Sequence, residues 1–372
     1  MLKRNGWTRS RIALREWMPV IVLMCCTFVF NTSEFIPIGL LSDIAADFGI
    51  TEARAGLLIT VYAWVVALVS LPLMLAVARM ECRRLMLGVL GLFIASHVLS
   101  GLSSSYAMLM ASRIGVACAH AVFWSIVSPL AVRVAPKGAQ SAALGLIITG
   151  TSIAMIVGLP LGRVIGLYVG WRTTFFIAAV AAAVWLFLAA IFPRVPSRDT
   201  ISLRKVPSLL GNPALVGVYV LTVLMVTGHY TGYSYIEPFL AQVAGLDNDW
   251  ITWVLTAFGL VGIVGSLWFS RDYEKCPYAF MRFAVVGIAF FLLLLRLSAF
   301  GHFPVVALCI CWGLAITIFN LVFQSEIIRL APEATAIAMS VYSGIYNVGI
   351  GAGALVGGFV CTHASIARIG YA

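Results

Sequence analysis

Charged side chains are scarce in this sequence. Aspartate, glutamate, lysine and arginine together make up 10% of its 372 residues, whereas soluble domains carry about 25%. Hydrophobic residues make up 62% of the chain, which leaves too few polar positions for a soluble catalytic domain. The composition therefore excludes a soluble globular enzyme and predicts an all-α polytopic membrane protein.

The motifs of common catalytic and metal sites are missing as well. The sequence contains no HExxH, no GxSxG and no acid-rich metal motif. Its eight cysteines lack the spacing of a disulfide framework or of a zinc site, so we interpret them as small packing residues. We expect no enzyme activity, no metal and no cofactor.

Glycines are abundant, and their context favours packing. Residues 349–353 resemble a nucleotide-binding loop only superficially, because they lie inside an apolar stretch with no strand before them. We interpret them as residues of close helix–helix contact, and we interpret Gly162, Gly166 and Gly170, at four-residue spacing, in the same way.

Eleven apolar stretches of roughly 20 residues occupy most of the chain, and a helix of that length crosses a hydrocarbon core of ~30 Å. The predicted spans are 18–40, 55–77, 85–103, 107–132, 141–162, 172–192, 213–239, 250–270, 279–299, 304–328 and 336–359. Residues 1–17 are basic but lead into a full-length span without a cleavage site, which predicts an uncleaved first helix.

The basic residues are distributed unevenly over the loops. Counted from the N-terminal segment, 18 of the 24 lysines and arginines fall on one side of the predicted bundle. The other six are Arg54, Arg113, Arg163, Arg172, Arg296 and Arg368. This asymmetry follows the positive-inside rule and predicts a cytoplasmic N-terminus. The net charge of +10 therefore reflects topology, and we expect no nucleic-acid partner.

A polar, proline-rich segment divides the chain into two parts. We predict an N-terminal six-helix half at 1–193, a cytoplasmic linker at 194–212 and a C-terminal half at 213–372. Arg133-Val134-Ala135-Pro136 recurs as Arg329-Leu330-Ala331-Pro332 in the equivalent loop, which indicates a parallel repeat of the two halves. Chance similarity between apolar helices is the alternative. The repeat also predicts a twelfth span near 367–387, of which this sequence contains only the beginning.

Polar residues in the first and fourth spans are spaced to share helix faces. They are Thr27, Asn31 and Glu34 in the first span and Arg113, His120 and Trp124 in the fourth. A charge at the bilayer centre costs roughly 2.5–3.5 kcal/mol, so intramembrane ionisable residues usually serve a function. We predict that Glu34 exchanges a proton while it pairs alternately with Arg113 or His120. A structural ion pair, or a Glu34 exposed near the outer surface, is the alternative.

The second half carries neutral hydrogen-bonding side chains instead. They are His229, Tyr230, Ser234 and Glu237 in span 7, Thr317, Asn320 and Gln324 in span 10, and Ser340, Ser343 and Asn347 in span 11. Such groups bind a polyhydroxylated solute, or they form interhelical hydrogen bonds that average ~0.6 kcal/mol each. For His97 and Arg163 we expect partners within the bundle.

Several segments resemble the exporter branch of the major facilitator superfamily, with two six-helix halves in parallel pseudo-repeat. Gly158-Leu159-Pro160-Leu161-Gly162 resembles its antiporter motif, and Arg113-Ile114-Gly115 its proton-coupling motif in the fourth helix. Longer matches are similar to the bacterial sugar efflux transporters of the SotB type. They are residues 30–45, 62–68, 113–120, 229–239 and 343–351.

The resemblance implies proton-driven export of arabinose-like sugars and thiogalactoside analogues by a protein of the bacterial inner membrane, which we expect to be monomeric. It points to Glu34, His120 and Asn347 in a central cavity. Together with the helix faces, it predicts a proton-coupling set of Glu34, Arg113 and His120. The predicted substrate-binding residues are Asn31, Tyr62, Trp124, His229, Asn320, Gln324 and Asn347.

Two departures from the family pattern stand beside these matches. Arg79 and Cys82 occupy places where the second-to-third loop normally carries an Asp and a Gly, and the twelfth helix is incomplete. A multidrug/proton antiporter of the same fold is one alternative function. A remnant without transport activity, or a membrane sensor that binds without moving its solute, is another.

Overall fold

The computed structural model describes residues 4–77, 79–137, 139–196, 209, 211–332 and 335–372. In this part of the chain, the regular elements are helices, and eleven of them are long and apolar enough to cross a membrane. The number of spans predicted from the sequence is therefore confirmed. The basic residues predicted in the linker at 198, 204 and 205 lie outside the described residues.

The first half of the chain supplies spans 1 to 6. They are Arg4–Gly39, Glu52–Val77, Cys82–Gly101, Tyr106–Val134, the pair Gln140–Ile153 and Leu159–Val169, and the pair Trp171–Thr174 and Ile177–Ile191. A short helix, Leu41–Phe48, follows span 1 and ends at Gly49. Gly49 has a φ of 60°, a left-handed conformation that glycine adopts without steric cost.

The second half supplies spans 7 to 11. They are Pro213–Tyr233 with Ile236–Gln242, then Asn248–Asp272, Pro277–Ser298, His302–Leu330 and Thr335–His363. Side chains cap two of these starts: Asn212 accepts from the first amides of span 7, and Asp247 accepts from the amide of Trp250 in span 8. Residues Ile366–Tyr371, where a twelfth span was predicted to begin, form a 3-10 helix that packs against spans 9 and 11.

Span 5 is interrupted by a π-helical turn at Ala154–Gly158. Pro160 lies two residues after this turn and has no amide hydrogen to donate, so the regular hydrogen-bond ladder cannot continue through it. A Cβ at Gly158 would press against the side chain of Thr32, and one at Gly166 against Leu40. These glycines therefore bring span 5 close to span 1, which confirms the packing role predicted for Gly166.

The packing role predicted for Gly170 is wrong. A Cβ at this position would meet no atom within 4 Å. Gly170 instead lies in the tight turn between spans 5 and 6 with a φ of 106°. Residues other than glycine rarely adopt this backbone conformation.

The two halves pack unequally on the two sides of the bundle. We call the side on which span 1 begins and residues 192–196 lie the linker side, and the opposite side the far side. One hydrophobic core lies wholly within spans 1 to 6. The other joins the second half to the far-side ends of the first half, through residues such as Ile36, Ala55 and Trp171. The halves thus share a core on the far side.

Direct contacts between spans 2 and 11 extend this closure to mid-depth. The indole nitrogen of Trp64 donates to the carbonyl of Val348 at 3.3 Å, and Trp64 lies where a Cβ at Gly351 would have to go. Further hydrogen bonds and an ion pair that join the halves on the far side link Ser42 to Glu237, Arg163 to Asn248 and Glu237, and Gln242 to Glu52. The molecule is therefore held closed on the far side.

Candidate transport site

Spans 1, 2 and 4 bring four polar side chains together inside the first half. Nε2 of His120 lies 3.8 Å from Oε2 of Glu34, and its Nδ1 shares a hydrogen bond of 2.6 Å with the hydroxyl of Tyr62. The guanidinium of Arg113 lies over the Tyr62 ring, 4.4 Å from its centroid. The helix faces predicted for spans 1 and 4 therefore meet.

Aromatic packing one turn before Glu34 sets this geometry. The ring of Phe30 stacks on Phe123 of span 4 at 4.1 Å and contacts Phe93 of span 3 at 4.4 Å. Phe30 is fully buried, so spans 1 and 4 are fixed against each other at this level. Four residues further along span 1, Glu34 comes to lie beside His120.

His120 links the carboxylate to the phenol through its two ring nitrogens. When Tyr62 donates its hydroxyl proton to Nδ1, the imidazole proton sits on Nε2 and points to Glu34. When Nδ1 carries the proton, Nε2 is free to accept one from the carboxyl group. At 3.8 Å the two groups lie at ion-pair distance, and a proton passes directly between them only when they approach to hydrogen-bond distance.

Arg113 adds a positive charge to this cluster. Its guanidinium donates to the backbone carbonyl of Ser33, the residue before Glu34, at 3.2 Å. The side chain is almost completely buried, and its Nε has no hydrogen-bond partner among the described residues. A positive charge fixed at this depth stabilises an ionised Glu34 without occupying it in a direct ion pair.

The second half faces this cluster with tyrosines. Asn320 and Tyr230 lie beside Tyr346, with 6.4 Å between the centroids of the two tyrosine rings. Both tyrosines lie close enough to Glu34 to interact with its charge. The ring of Tyr342 lies 5.8 Å from that of Tyr346, and its buried hydroxyl has no partner in the described structure. No role was predicted for Tyr342 and Tyr346, although their four-residue spacing places them on one helix face.

Of the substrate contacts predicted in spans 1, 4 and 11, two lie near the cluster or keep a free polar atom, and one forms a hydrogen bond between helices. Trp124 lies beside His120, with 5.9 Å between the ring centroids, and Asn347 keeps its buried Oδ1 without a partner in the described structure. Asn31 instead donates to the carbonyl of Thr151 in span 5 at 3.3 Å. Its amide nitrogen therefore joins two helices.

Two further predicted substrate contacts lie in different surroundings. His229 is enclosed by the rings of Tyr230, Tyr233, Phe258 and Trp312, with centroids 4.9 to 6.4 Å away. Gln324 is exposed near the linker-side end of span 10. A role of either residue in binding stays a prediction.

Comparison with known proteins identifies the architecture. The family model of the Major Facilitator Superfamily matches residues 23–354. A bacterial homologue of the human lysosomal transporter Spinster, solved in an inward-facing and unoccupied conformation, is 16% identical, with a TM-score of 0.74 over 93% of this chain and 81% of its own. A POT family transporter in complex with 5-aminolevulinic acid is 12% identical, with a TM-score of 0.75 over 95% of this chain and 92% of its own.

At these identities the solved structures show the shared fold, and the family match covers most of the chain. Both findings agree with the eleven spans. The protein is thus a multi-pass membrane protein with the architecture of a non-enzymatic transporter, and it belongs to the Major Facilitator Superfamily.

Proposed function

We propose that this protein exports sugars of the arabinose type across the bacterial inner membrane in exchange for protons, by alternating access. The observation that carries the proposal is the Glu34–His120–Tyr62–Arg113 cluster, which faces the tyrosines of the other half. The linker side is the cytoplasmic side, because it carries most of the basic residues. The conformation closed on the far side then opens toward the cytoplasm.

Glu34 is the proton carrier in this proposal. Its carboxylate lies between the halves, 14% exposed, beside the imidazole of His120. Protonation from the outside removes the negative charge that His120 and Arg113 face, which changes the relative stability of the two conformations. Return of the proton to the cytoplasm restores the charge, so one cycle couples inward proton movement to outward sugar movement.

The second half supplies polar groups and aromatic rings suited to binding a sugar. Tyr230, Tyr346 and Asn320 offer hydroxyl and amide groups, and Tyr342 and Asn347 hold buried polar atoms that lack partners in the described structure. A sugar satisfies such atoms with its own hydroxyl groups, while its apolar ring face packs on the tyrosine rings. Neutral donors and aromatic faces together favour an uncharged, hydroxylated substrate.

Replacing Glu34 tests the proposal. Cells that produce the full chain are loaded with radiolabelled arabinose, and efflux is followed with and without a protonophore. Glu34→Gln keeps the shape of the side chain but cannot carry an exchangeable charge, so protonophore-sensitive efflux is expected to fall by about tenfold or more. Glu16→Gln is the matched control, because Glu16 is an exposed acid on the same helix and its loss is expected to leave efflux unchanged.

Full protonophore-sensitive efflux by Glu34→Gln would contradict the role of Glu34. Competition separates the substrate classes: arabinose and thiogalactosides are expected to inhibit efflux, while cationic dyes are not. Inhibition by dyes alone would favour the multidrug alternative.

A further inference from the structure

A second buried ionic cluster, apart from Glu34, joins the halves on the far side. Arg163, near the end of span 5, forms an ion pair with Glu237 of the second half, with 3.5 Å between Nη1 and Oε1. The same guanidinium donates to the side-chain oxygen of Asn248 at 3.1 Å and to the carbonyl of Gly39. Glu237 also accepts the amide of Ser42 at 3.2 Å. One arginine thus holds groups from both halves.

Because the ion pair is buried, breaking it to separate the halves is costly. The side chains of Arg163 and Glu237 are 0% and 4% exposed, and the pair lies within the shared far-side core. Removing one partner of a buried pair leaves the other charge uncompensated, which is strongly unfavourable. The far side therefore opens only if Arg163 finds another counter-charge when Glu237 moves away.

Asp43 is placed to be that counter-charge. It lies on the short helix Leu41–Phe48 of the first half, next to Ser42, and it is close enough to Arg163 for the two charges to interact. Arg163 and Asp43 belong to the same half and stay together when the halves separate, whereas Glu237 and Asn248 leave with the other half. Burial raises the pKa of Asp43 and the charge of Arg163 opposes that effect.

We propose that Arg163 is the latch of the far-side gate: it binds Glu237 and Asn248 when the gate is closed and exchanges Glu237 for Asp43 when the gate opens. In this arrangement Glu237 stabilises the closed far side and Asp43 stabilises the open one. The latch does not depend on which solute is carried, so its test uses no substrate.

Replacing Glu237 and replacing Asp43 are expected to change deuterium uptake in opposite directions. A static ion-pair cluster would not give opposite effects. Hydrogen–deuterium exchange of the full chain in lipid nanodiscs reports gate opening through the amides of residues 39–50 and 236–250. Glu237→Gln is expected to raise deuterium uptake in these segments by about twofold or more. Asp43→Asn is expected to lower uptake below the wild-type value, because the open state loses its counter-charge.

Asp47→Asn is the matched control. Asp47 lies on the same short helix as Asp43 but pairs at 2.7 Å with Arg172, an exposed partner in its own half, so uptake in both segments is expected to stay at the wild-type value. If Asp43→Asn raises uptake as Glu237→Gln does, the cluster is a static fastening and the latch is wrong. Should Glu237→Gln fail to fold, the Asp43→Asn arm decides alone: lowered uptake supports the latch, and unchanged or raised uptake overturns it.

Discussion

At the scale of single residues, the hydrogen bond between Tyr62 and His120 controls how the imidazole meets Glu34. The hydroxyl and Nδ1 are 2.6 Å apart, and both side chains are buried. Because the two ring nitrogens of a neutral histidine have opposite roles, the partner of Nδ1 decides which group Nε2 presents to the carboxylate. In the proposed mechanism, Tyr62 is therefore a positioning residue for Glu34.

Replacing Tyr62 by Phe tests this role. The variant keeps the ring under Arg113 but removes the hydrogen bond, which is worth about 1 kcal/mol. We expect the initial rate of protonophore-sensitive efflux to fall by about fivefold and the pH at half-maximal rate to move. Tyr168→Phe is the control, because Tyr168 is 76% exposed. An unchanged rate and pH profile in Tyr62→Phe would remove Tyr62 from the coupling mechanism.

The sequence predicted part of this residue network and not the rest. Glu34 and His120 were predicted because ionisable side chains are rare inside apolar helices and their spacing defined a face. Tyr342 and Tyr346 were not, because aromatic side chains in an apolar helix are ordinarily packing residues. Arg163 was expected to find a partner in the bundle, but no local pattern identifies Glu237, which lies in the other half.

At the scale of elements, the start of span 3 is fastened to the beginning of the linker. The carboxylate of Glu81 accepts the amides of Arg83 and Arg84 at the helix start and also the amide of Val195. The amide of Cys82 donates to the carbonyl of Val195 at 3.0 Å. One side chain thus caps a helix and holds the end of the first half against it.

Replacing Glu81 by Ala is expected to lower the free energy of unfolding by about 0.5–2 kcal/mol, the usual cost of losing an N-cap. Partial burial opposes ionisation of Glu81, but the amides of Arg83, Val195 and Arg84 outweigh it and lower its pKa. Its contribution to stability is therefore present above the ordinary glutamate pKa of about 4.3 and is lost as the pH falls through the lowered value.

Thermal unfolding of the detergent-solubilised chain at neutral and acidic pH measures both effects. Glu274→Ala, which removes another linker-side acid, is expected to leave the unfolding temperature unchanged. Equal unfolding temperatures for Glu81→Ala and wild type at neutral pH would show that the cap does not stabilise the fold.

Most membrane spans could be predicted from the sequence, since hydropathy over about 20 residues identifies a span directly. In span 5, however, hydropathy did not predict where the helix ends. The prediction stopped at 162, whereas the helix continues to Val169 through a π-helical turn. At that turn Gly158 lies against Thr32 of span 1, and tertiary contacts of this kind leave no mark in local hydropathy.

At the scale of the whole molecule, the groups proposed to bind solute and proton lie apart from the contacts that close the far side. In the proposed mechanism, the Glu34 cluster and the tyrosines of the second half form the site between the halves. The Arg163–Glu237 pair and the contact of spans 2 and 11 close the far side. No span-by-span analysis of the sequence predicts which side is closed, because that depends on the relative stability of two packings of the same helices.

The most direct test of the central claim is gradient-driven sugar movement by the purified full chain in liposomes. Radiolabelled arabinose is added outside vesicles whose interior is more acidic than the bath. Antiport predicts that protons leaving the vesicles drive arabinose inward above its external concentration, and that the accumulation vanishes when an ionophore collapses the gradient. Arabinose uptake that ignores the gradient, or arabinose binding without any uptake, would contradict a sugar/proton antiporter.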